Sequence, residues 1–172
     1  MASRIKILPD SLASKIAAGE VVQRPESVVK ELLENAVDAN ATTIELIIKQ
    51  AGKSLIQVCD DGSGMTEEDA LLCIHKHATS KISSMEDLES IKTLGFRGEA
   101  LSSIASVCQL EIRTETRDAE IGTLLKIESE NEITTEKIST SKGTCVAVKN
   151  MFYNIPARRK FLKTDNTELK HI

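Results

Sequence analysis

Aromatic residues and long apolar runs are scarce in this sequence. Aromatic residues make up 2% of the 172 residues and tryptophan is absent, so the core must be aliphatic and few rings are available to stack on single-stranded nucleic acid. The longest unbroken apolar run, Ala70 to Ile74, is far shorter than the roughly 20 residues that span a bilayer. Arg4 and Lys6 interrupt the first residues, which lack the apolar stretch of a signal peptide. A membrane or secreted protein is not expected.

Cysteine is also used sparingly. Each of the four cysteines lies in an apolar stretch and no two form a C-x-x-C pair: Cys59, Cys73, Cys108 and Cys145. We expect all four to be reduced core residues rather than metal ligands or disulfides. The 22 lysines and arginines against 26 acidic residues give a net charge of −4, so contact with nucleic acid requires a local basic patch. We expect a cytoplasmic location in a bacterium, or a nuclear one in a eukaryote.

The residue pattern changes from helical to strand-like along the chain. Helices are predicted at 11–18, 25–38, 66–77, 98–106 and 156–163. Strands are predicted at 43–49, 54–60, 107–114, 122–129, 132–138 and 144–149. This order predicts an α+β fold, a two-layer sandwich with helices on one face of a mixed β-sheet. Because the last residues, 167–172, resemble the start of another helix, we expect the chain to be a fragment with a further subdomain after it.

The predicted helix 25–38 carries polar side chains on one side. At 100° per residue, Glu31, Asn35 and Asp38 share a narrow stripe. The opposite side is apolar, with Val29, Leu32, Leu33, Ala36 and Val37. Such a stripe is more often a plain solvated face, so a functional role requires a second site that faces it.

Three later segments offer such a site. Asp60-Asp61-Gly62-Ser63-Gly64 follows an apolar strand, where an Asp can accept hydrogen bonds from an amine and glycines admit a ligand close to the backbone. Residues 95–101 contain two glycines and open a helix, whose N-terminus can bind phosphate. Residues 79–81 add two hydroxyls and a lysine. A β-turn, a glycine hinge and a helix C-cap are the simpler explanations. The sequence contains neither a complete P-loop nor a G-x-G-x-x-G motif.

In their order along the chain, these segments resemble the N-terminal ATPase region of the MutL mismatch-repair proteins. The wider resemblance is to the Bergerat-fold ATPases, which include gyrase B and the histidine kinases. Two further stretches, 16–22 and 152–161, distinguish MutL proteins from the other branches. The resemblance covers essentially the whole chain, as one ATPase domain over residues 1–172, and rests on residues 31–39, 60–65, 79–81, 95–101 and 143–144.

The resemblance implies a role for each site residue. Glu31 would be the general base that activates water, Asn35 would ligate Mg²⁺, and Asp60 would accept a hydrogen bond from the adenine amine. Residues 95–101 would form part of a lid over the phosphates, and Thr144 would support Asp60. The remaining nucleotide-binding residues implied are Asp38, Gly62, Gly64, Met65, Thr79, Ser80, Lys81, Gly95, Phe96, Arg97, Gly98, Glu99, Ala100 and Leu101.

The resemblance also implies a cofactor set and partners. ATP with Mg²⁺ would close the lid and order the N-terminal arm, roughly residues 1–22, so that the ATPase regions dimerise. The partners would be a MutS-type mismatch-recognition protein and DNA. In the family, a lysine from the following subdomain reaches the γ-phosphate, so we expect this chain to bind nucleotide better than it turns it over.

Two other functions remain open at this stage. One is a module that binds DNA or a partner without using ATP, and the other is the ATPase region of another Bergerat branch. Residues 152–163 carry four positive charges and no acid, which favours a solvated helix face over a DNA contact.

Overall fold

The computed structural model describes residues 6–172, apart from 83, 85, 88, 89, 91, 92 and 96. Its main helices are α1 (Asp10–Val21), α2 (Pro25–Asp38), α3 (Glu67–Leu72), α4 (Ala100–Val107), α5 (Pro156–Lys160) and α6 (Asp165–Leu169). Its strands are β1 (Ile44–Lys49), β2 (Leu55–Asp60), β3 (Gln109–Glu115), β4 (Gly122–Ser129), β5 (Glu132–Ile138) and β6 (Gly143–Lys149). In this part of the chain, no helix is both long and apolar enough to cross a membrane.

The six strands form one sheet in the order β1-β2-β6-β3-β4-β5. The α+β sandwich is confirmed, but the prediction of a mixed sheet is wrong, because every neighbouring pair is antiparallel. The reason lies in the connections. Short turns join β1 to β2, β3 to β4 and β4 to β5, and such turns produce antiparallel pairs. The last strand, β6, then inserts between β2 and β3.

One face of the sheet carries the core. Two rows of residues in register across β2, β6, β3 and β4 are aliphatic and buried: Ile56, Val148, Leu110 and Ile127, then Val58, Val146, Ile112 and Leu125. Helices α1, α2 and α4 add Ala18, Val28, Val29, Leu32, Ile104 and Val107 to the same cluster. Each such side chain contributes roughly 1.5–3 kcal/mol when fully buried. The cluster therefore fixes α2 against the sheet.

The helix bounds differ from the prediction where tertiary contacts intervene. Helix α2 begins and ends as predicted, with Pro25 at its first turn. Helix α3 begins after Thr66, whose hydroxyl accepts the Asp69 N–H at 3.1 Å, but it ends at Leu72 rather than at residue 77. The backbone has left the helical region by His77, where φ is 63°.

Arg158 packs against the end of α1, which continues to Val21 instead of ending at residue 18 as predicted. Its guanidinium lies 4.6 Å from the centre of the Phe152 ring and donates hydrogen bonds to the carbonyls of Gly19 and Val22. A Cβ at Gly19 would lie 3.3 Å from that guanidinium, so the glycine makes room for Arg158 rather than ending the helix. Arg158 is therefore not on a solvated face, whereas Arg159 and Lys160 are exposed.

The prediction of four reduced cysteines is wrong for one pair. Cys59 on β2 and Cys145 on β6 lie opposite each other in the register and form a disulfide across 86 residues of sequence. Their spacing carried no signal because the pairing of β2 with β6 is a long-range contact. Cys73 and Cys108 are free, and burial raises the pKa of each thiol to about 12.

Candidate functional site

A cavity of about 1300 Å³ lies beside the polar stripe of α2. It is also lined by the ends of β2 and β6, by residues 79–81, by residues 93–95 and by residues 97–101. The predicted site residues that line it are Glu31, Asn35, Asp38, Asp60, Gly64, Met65, Thr79, Ser80, Lys81, Gly95, Arg97, Gly98, Glu99, Ala100, Leu101 and Thr144. The stripe on α2 is thus a cavity wall rather than a solvated face.

Of the predicted site residues that the structure describes, Gly62 alone does not line the cavity. Phe96 is outside the described residues. Gly62 is buried behind the wall, where a Cβ would lie 2.7 Å from the carbonyl oxygen of Ala39. Its backbone N–H donates to Asp60 Oδ1 at 2.8 Å. Gly62 therefore contacts Asp60, which lines the cavity.

Asp60 presents a half-buried carboxylate at the end of β2. Burial raises its pKa, and the negative charge of Asp61 adds to that rise, while hydrogen bonds from the backbone N–H groups of Gly62 and Thr144 oppose it. The pKa is raised on balance. With one oxygen held by Gly62, the carboxylate keeps acceptor capacity for a donor in the cavity.

Thr114 is a site residue that the sequence analysis missed. Its side chain is buried on β3, and its hydroxyl accepts the Met65 N–H at 2.8 Å and lies 2.9 Å from the Thr144 hydroxyl. It links the loop after β2 to the start of β6, so it fixes two walls of the cavity. The alternation of Leu110, Ile112 and Thr114 along β3 was the available signal, because it puts Thr114 on the inward face.

Glu31 has the electrostatic setting of a proton acceptor. Burial raises its pKa above the ordinary 4.5, and the neighbouring Glu34 raises it further. Lys30, Lys81 and Arg97 lower it without cancelling the rise. A carboxylate with a raised pKa is a better general base near neutral pH than an ordinary one.

Asp38 ties α2 to two loops across the cavity. Its Oδ2 lies 2.5 Å from Lys81 Nζ, and its two oxygens accept the backbone N–H groups of Leu94 and Gly95 at 2.9 and 3.2 Å. Lys81 Nζ also donates to Asn35 Oδ1 at 2.9 Å. Burial raises the pKa of Asp38, but the hydrogen bonds from Lys81 and from the two backbone groups outweigh it, so the pKa is lowered.

Asp61 lies outside the cavity and secures the edge of the sheet. It accepts the Thr42 hydroxyl at 2.5 Å and the backbone N–H groups of Thr42 and Thr43 at 2.7 and 2.8 Å. These hydrogen bonds, that from the Thr42 side chain first, lower its pKa from 3.8 to about 2. The charged form therefore stabilises the fold above pH 3.8, and this contribution is lost as the pH falls through about 2.

Replacing this carboxylate should make the chain less sensitive to acid. We expect Asp61→Asn to lower the melting temperature at neutral pH and to reduce the further loss between pH 3.8 and about 2, because the amide cannot titrate. Thermal melts across that range measure both effects. Asp118→Asn, at an exposed position on the turn before β4, is the control. If the melting temperatures of Asp61→Asn and the unmodified chain fall equally across this pH range, the role assigned to the Asp61 carboxylate is wrong.

Comparisons with known proteins agree with this geometry. A family model described as histidine kinase-, DNA gyrase B- and HSP90-like ATPase matches residues 23–151. The chain is 56% identical over 172 residues to the DNA mismatch repair protein MutL of Christiangramia forsetii, and 60% identical over 170 residues to that of Chloroherpeton thalassium. All or nearly all of the chain is covered, but only 28% and 27% of these relatives. The chain therefore spans less than a third of their length.

Solved structures show the same fold. The Aquifex aeolicus MutL ATPase domain complexed with ADP has a TM-score of 0.68 and 34% identity, covering 88% of this chain and 52% of that one. The N-terminal domain of a DNA repair protein has a TM-score of 0.70 and 35% identity, covering 86% and 42%. The family model spans most of the chain, and both relatives of the chain are MutL proteins. The chain therefore belongs to the MutL branch of the histidine kinase-, DNA gyrase B- and HSP90-like ATPase family.

Proposed function

We propose that the chain is the ATP-binding N-terminal part of a MutL-type mismatch-repair protein, and that it binds ATP with Mg²⁺ and supplies the base for hydrolysis. One observation carries the proposal: a single cavity holds Glu31 and Asn35 on one helix face and Asp60 at a strand end. A cavity of about 1300 Å³ has room for a nucleotide, since ligand pockets commonly measure about 300–1000 Å³.

The polarity of the cavity supports one orientation of the nucleotide. Asp60 and Thr144 lie at the sheet end, where the carboxylate would accept a hydrogen bond from the adenine amine. The N-terminus of α4, after Gly98 and Glu99, also lines the cavity. Its free N–H groups and the helix dipole favour phosphate, and Arg97 adds a positive charge there. Thr79 would contact the adenine end.

The residues present fit a divalent cation. Among the residues that the structure describes, seven carboxylates line the cavity against three lysines and arginines: Glu20, Glu31, Glu34, Asp38, Asp60, Asp69 and Glu99 against Lys30, Lys81 and Arg97. A triphosphate is repelled by that excess unless a cation accompanies it. Asn35 Oδ1 already accepts a cationic donor, Lys81 Nζ, and would hold Mg²⁺, a hard ion that prefers oxygen ligands. Bound there, Mg²⁺ would neutralise charge on the phosphate oxygens.

For hydrolysis, the Glu31 carboxylate would accept a proton from the attacking water. Its position on the cavity wall and its raised pKa support this role. In this family a lysine from the following subdomain reaches the γ-phosphate, so we propose that this chain alone binds ATP better than it hydrolyses it.

The wider role is proposed from the relatives. ATP-driven closure of residues 95–101 would order the N-terminal arm and promote dimerisation, which would couple a MutS-type partner and DNA to downstream repair in the cytoplasm. Arg158 packs against α1, so the exposed basic residues of 152–163 that would suit contact with DNA phosphates are Arg159, Lys160 and Lys163. Electrostatic contacts of this kind would weaken steeply with salt.

Adenine-selective stabilisation tests the proposal. With Mg²⁺ and a non-hydrolysable ATP analogue at about 100 times its Kd, the unmodified chain should gain roughly 2.7 kcal/mol, or about 5–10 °C in melting temperature. The GTP counterpart should give less. Asp60→Ala should lose the shift because the adenine amine loses its acceptor.

Asp118→Ala, outside the cavity, is the matched control and should keep the full shift. Equal shifts with the two nucleotides, or an undiminished shift in Asp60→Ala, would contradict the adenine assignment. No shift in the unmodified chain would count against nucleotide binding by this chain altogether.

A further inference from the structure

The Lys81 ammonium occupies the position beside Asn35 Oδ1 that the proposed Mg²⁺ requires. It is 2.9 Å from Asn35 Oδ1 and 2.5 Å from Asp38 Oδ2. The side chains of Lys81 and Asp38 are only 20% and 7% exposed, so little water screens this contact. Lys81 and Asp38 thus form a largely buried ion pair rather than a transient surface contact.

An ammonium and a divalent cation cannot share this position. An amide oxygen at hydrogen-bond distance from Lys81 Nζ would bring Mg²⁺ within a few ångströms of a like charge, where repulsion in a partly buried site is strong. Asn35 can therefore ligate the metal only after Lys81 has moved away. Asp38 is the remaining partner to which the ammonium can stay attached.

We propose that Lys81 is a displaceable cation that holds Asn35 Oδ1 in the nucleotide-free chain and is expelled from it when Mg²⁺ enters with the nucleotide. The inference rests on the Mg²⁺ role of Asn35 under the proposed function and adds the step that precedes ligation. Lys81 is a positioning residue here, because it acts through Asn35 and Asp38.

Displacement of Lys81 would also affect the segment that leads into the proposed lid, residues 95–101. Asp38 holds the backbone N–H groups of Leu94 and Gly95, and a Cβ at Gly95 would lie 3.2 Å from Lys81 Nζ. A shift of the ammonium therefore changes the surroundings of the segment that leads into residues 95–101. Metal entry and lid position are coupled through one carboxylate.

Lys81→Met should strengthen the effect of Mg²⁺ on nucleotide binding. We define the Mg²⁺ enhancement as the Kd of a fluorescent non-hydrolysable ATP analogue in EDTA divided by its Kd in Mg²⁺. Removing a charge-assisted hydrogen bond that Mg²⁺ must otherwise displace should raise this ratio roughly tenfold. Lys137→Met, which removes a lysine paired with Glu67 on the surface, should leave it unchanged.

Two further variants make the test specific. In an Asn35→Ala background, Lys81→Met should no longer change the ratio, because the contested oxygen is gone. Asp38→Asn combined with Lys81→Met avoids an unpaired carboxylate and should raise the ratio even where the single variant folds poorly.

The opposing outcomes are distinct. If Lys81→Met weakens binding equally in Mg²⁺ and in EDTA, Lys81 is a phosphate ligand and the displacement is wrong, while nucleotide binding stands. An unchanged ratio in both Lys81 variants also overturns the displacement alone. If the unmodified chain binds the analogue in neither condition, the proposed function and this inference fail together.

Discussion

Glu31→Gln should bind ATP as tightly as the unmodified protein and hydrolyse it about 10²–10⁴ times more slowly. Glutamine keeps the size of the side chain on α2 but cannot accept a proton from water. The raised pKa of Glu31, caused first by burial and then by Glu34, is what suits the carboxylate to that task. Single-turnover phosphate release, measured in a protein that continues through the following subdomain, separates this loss from binding.

Glu34→Gln is the matched control because Glu34 lies one turn along the same helix and also lines the cavity. It should keep turnover at neutral pH. Since Glu34 raises the pKa of Glu31, its removal should move the acid limb of the pH–rate profile to lower pH, as the base then stays deprotonated further into acid. Turnover in Glu31→Gln close to that of Glu34→Gln would remove the general-base role.

Helix α2 is the part of the site that local sequence describes best. Proline at the first turn and the 3.6-residue period fix its bounds and its polar stripe, and the structure agrees with both. The local pattern does not show which residues face Glu31, Asn35 and Asp38. The partners of Asp38 lie 43 to 57 residues further along the chain.

Long-range strand pairing explains most of what was missed. The strands β4 and β5 have the predicted bounds, because alternation and turn residues are local signals. The insertion of β6 between β2 and β3 is not local, and it creates both the Thr114–Thr144 contact and the Cys59–Cys145 pair.

Charge composition was a poor guide to Arg158. Counting charges in residues 152–163 treats the four cations as equivalent, yet long side chains can bury their stems and even their charged heads where carbonyls accept them. Gly19 and Val22, more than 130 positions earlier, supply those carbonyls. Glycine at position 19, directly after the predicted helix 11–18, is typical of a helix end and does not indicate a contact with Arg158.

Gly143→Ala should destabilise the chain more than any other single-methyl change at the site. Gly143 begins β6 with φ of +103°, and a Cβ there would lie 2.0 Å from the Asp60 carbonyl oxygen and 2.9 Å from Asp61 Cα. An L residue is strained in this region by about 1–2 kcal/mol, and the backbone overlap forces β2 and β6 apart at their paired ends. We expect a total loss of about 3 kcal/mol or more, or roughly 10 °C in melting temperature at this chain length.

Gly95→Ala provides the comparison, because its Cβ would meet side-chain atoms rather than backbone: Lys81 Nζ at 3.2 Å and Asp38 Oδ2 at 3.9 Å. A loss below about 1 kcal/mol is expected there. Thermal melts of both variants measure the difference, and equal losses would mean that the close approach at Gly143 is relieved without cost. The overlap in Gly143→Ala involves the backbone of Asp60, whose carboxylate is the proposed adenine acceptor. The nucleotide-induced rise in melting temperature of this variant should therefore be smaller as well. A variant that melts early yet keeps the full shift would show that the strand ends can separate without moving the Asp60 carboxylate.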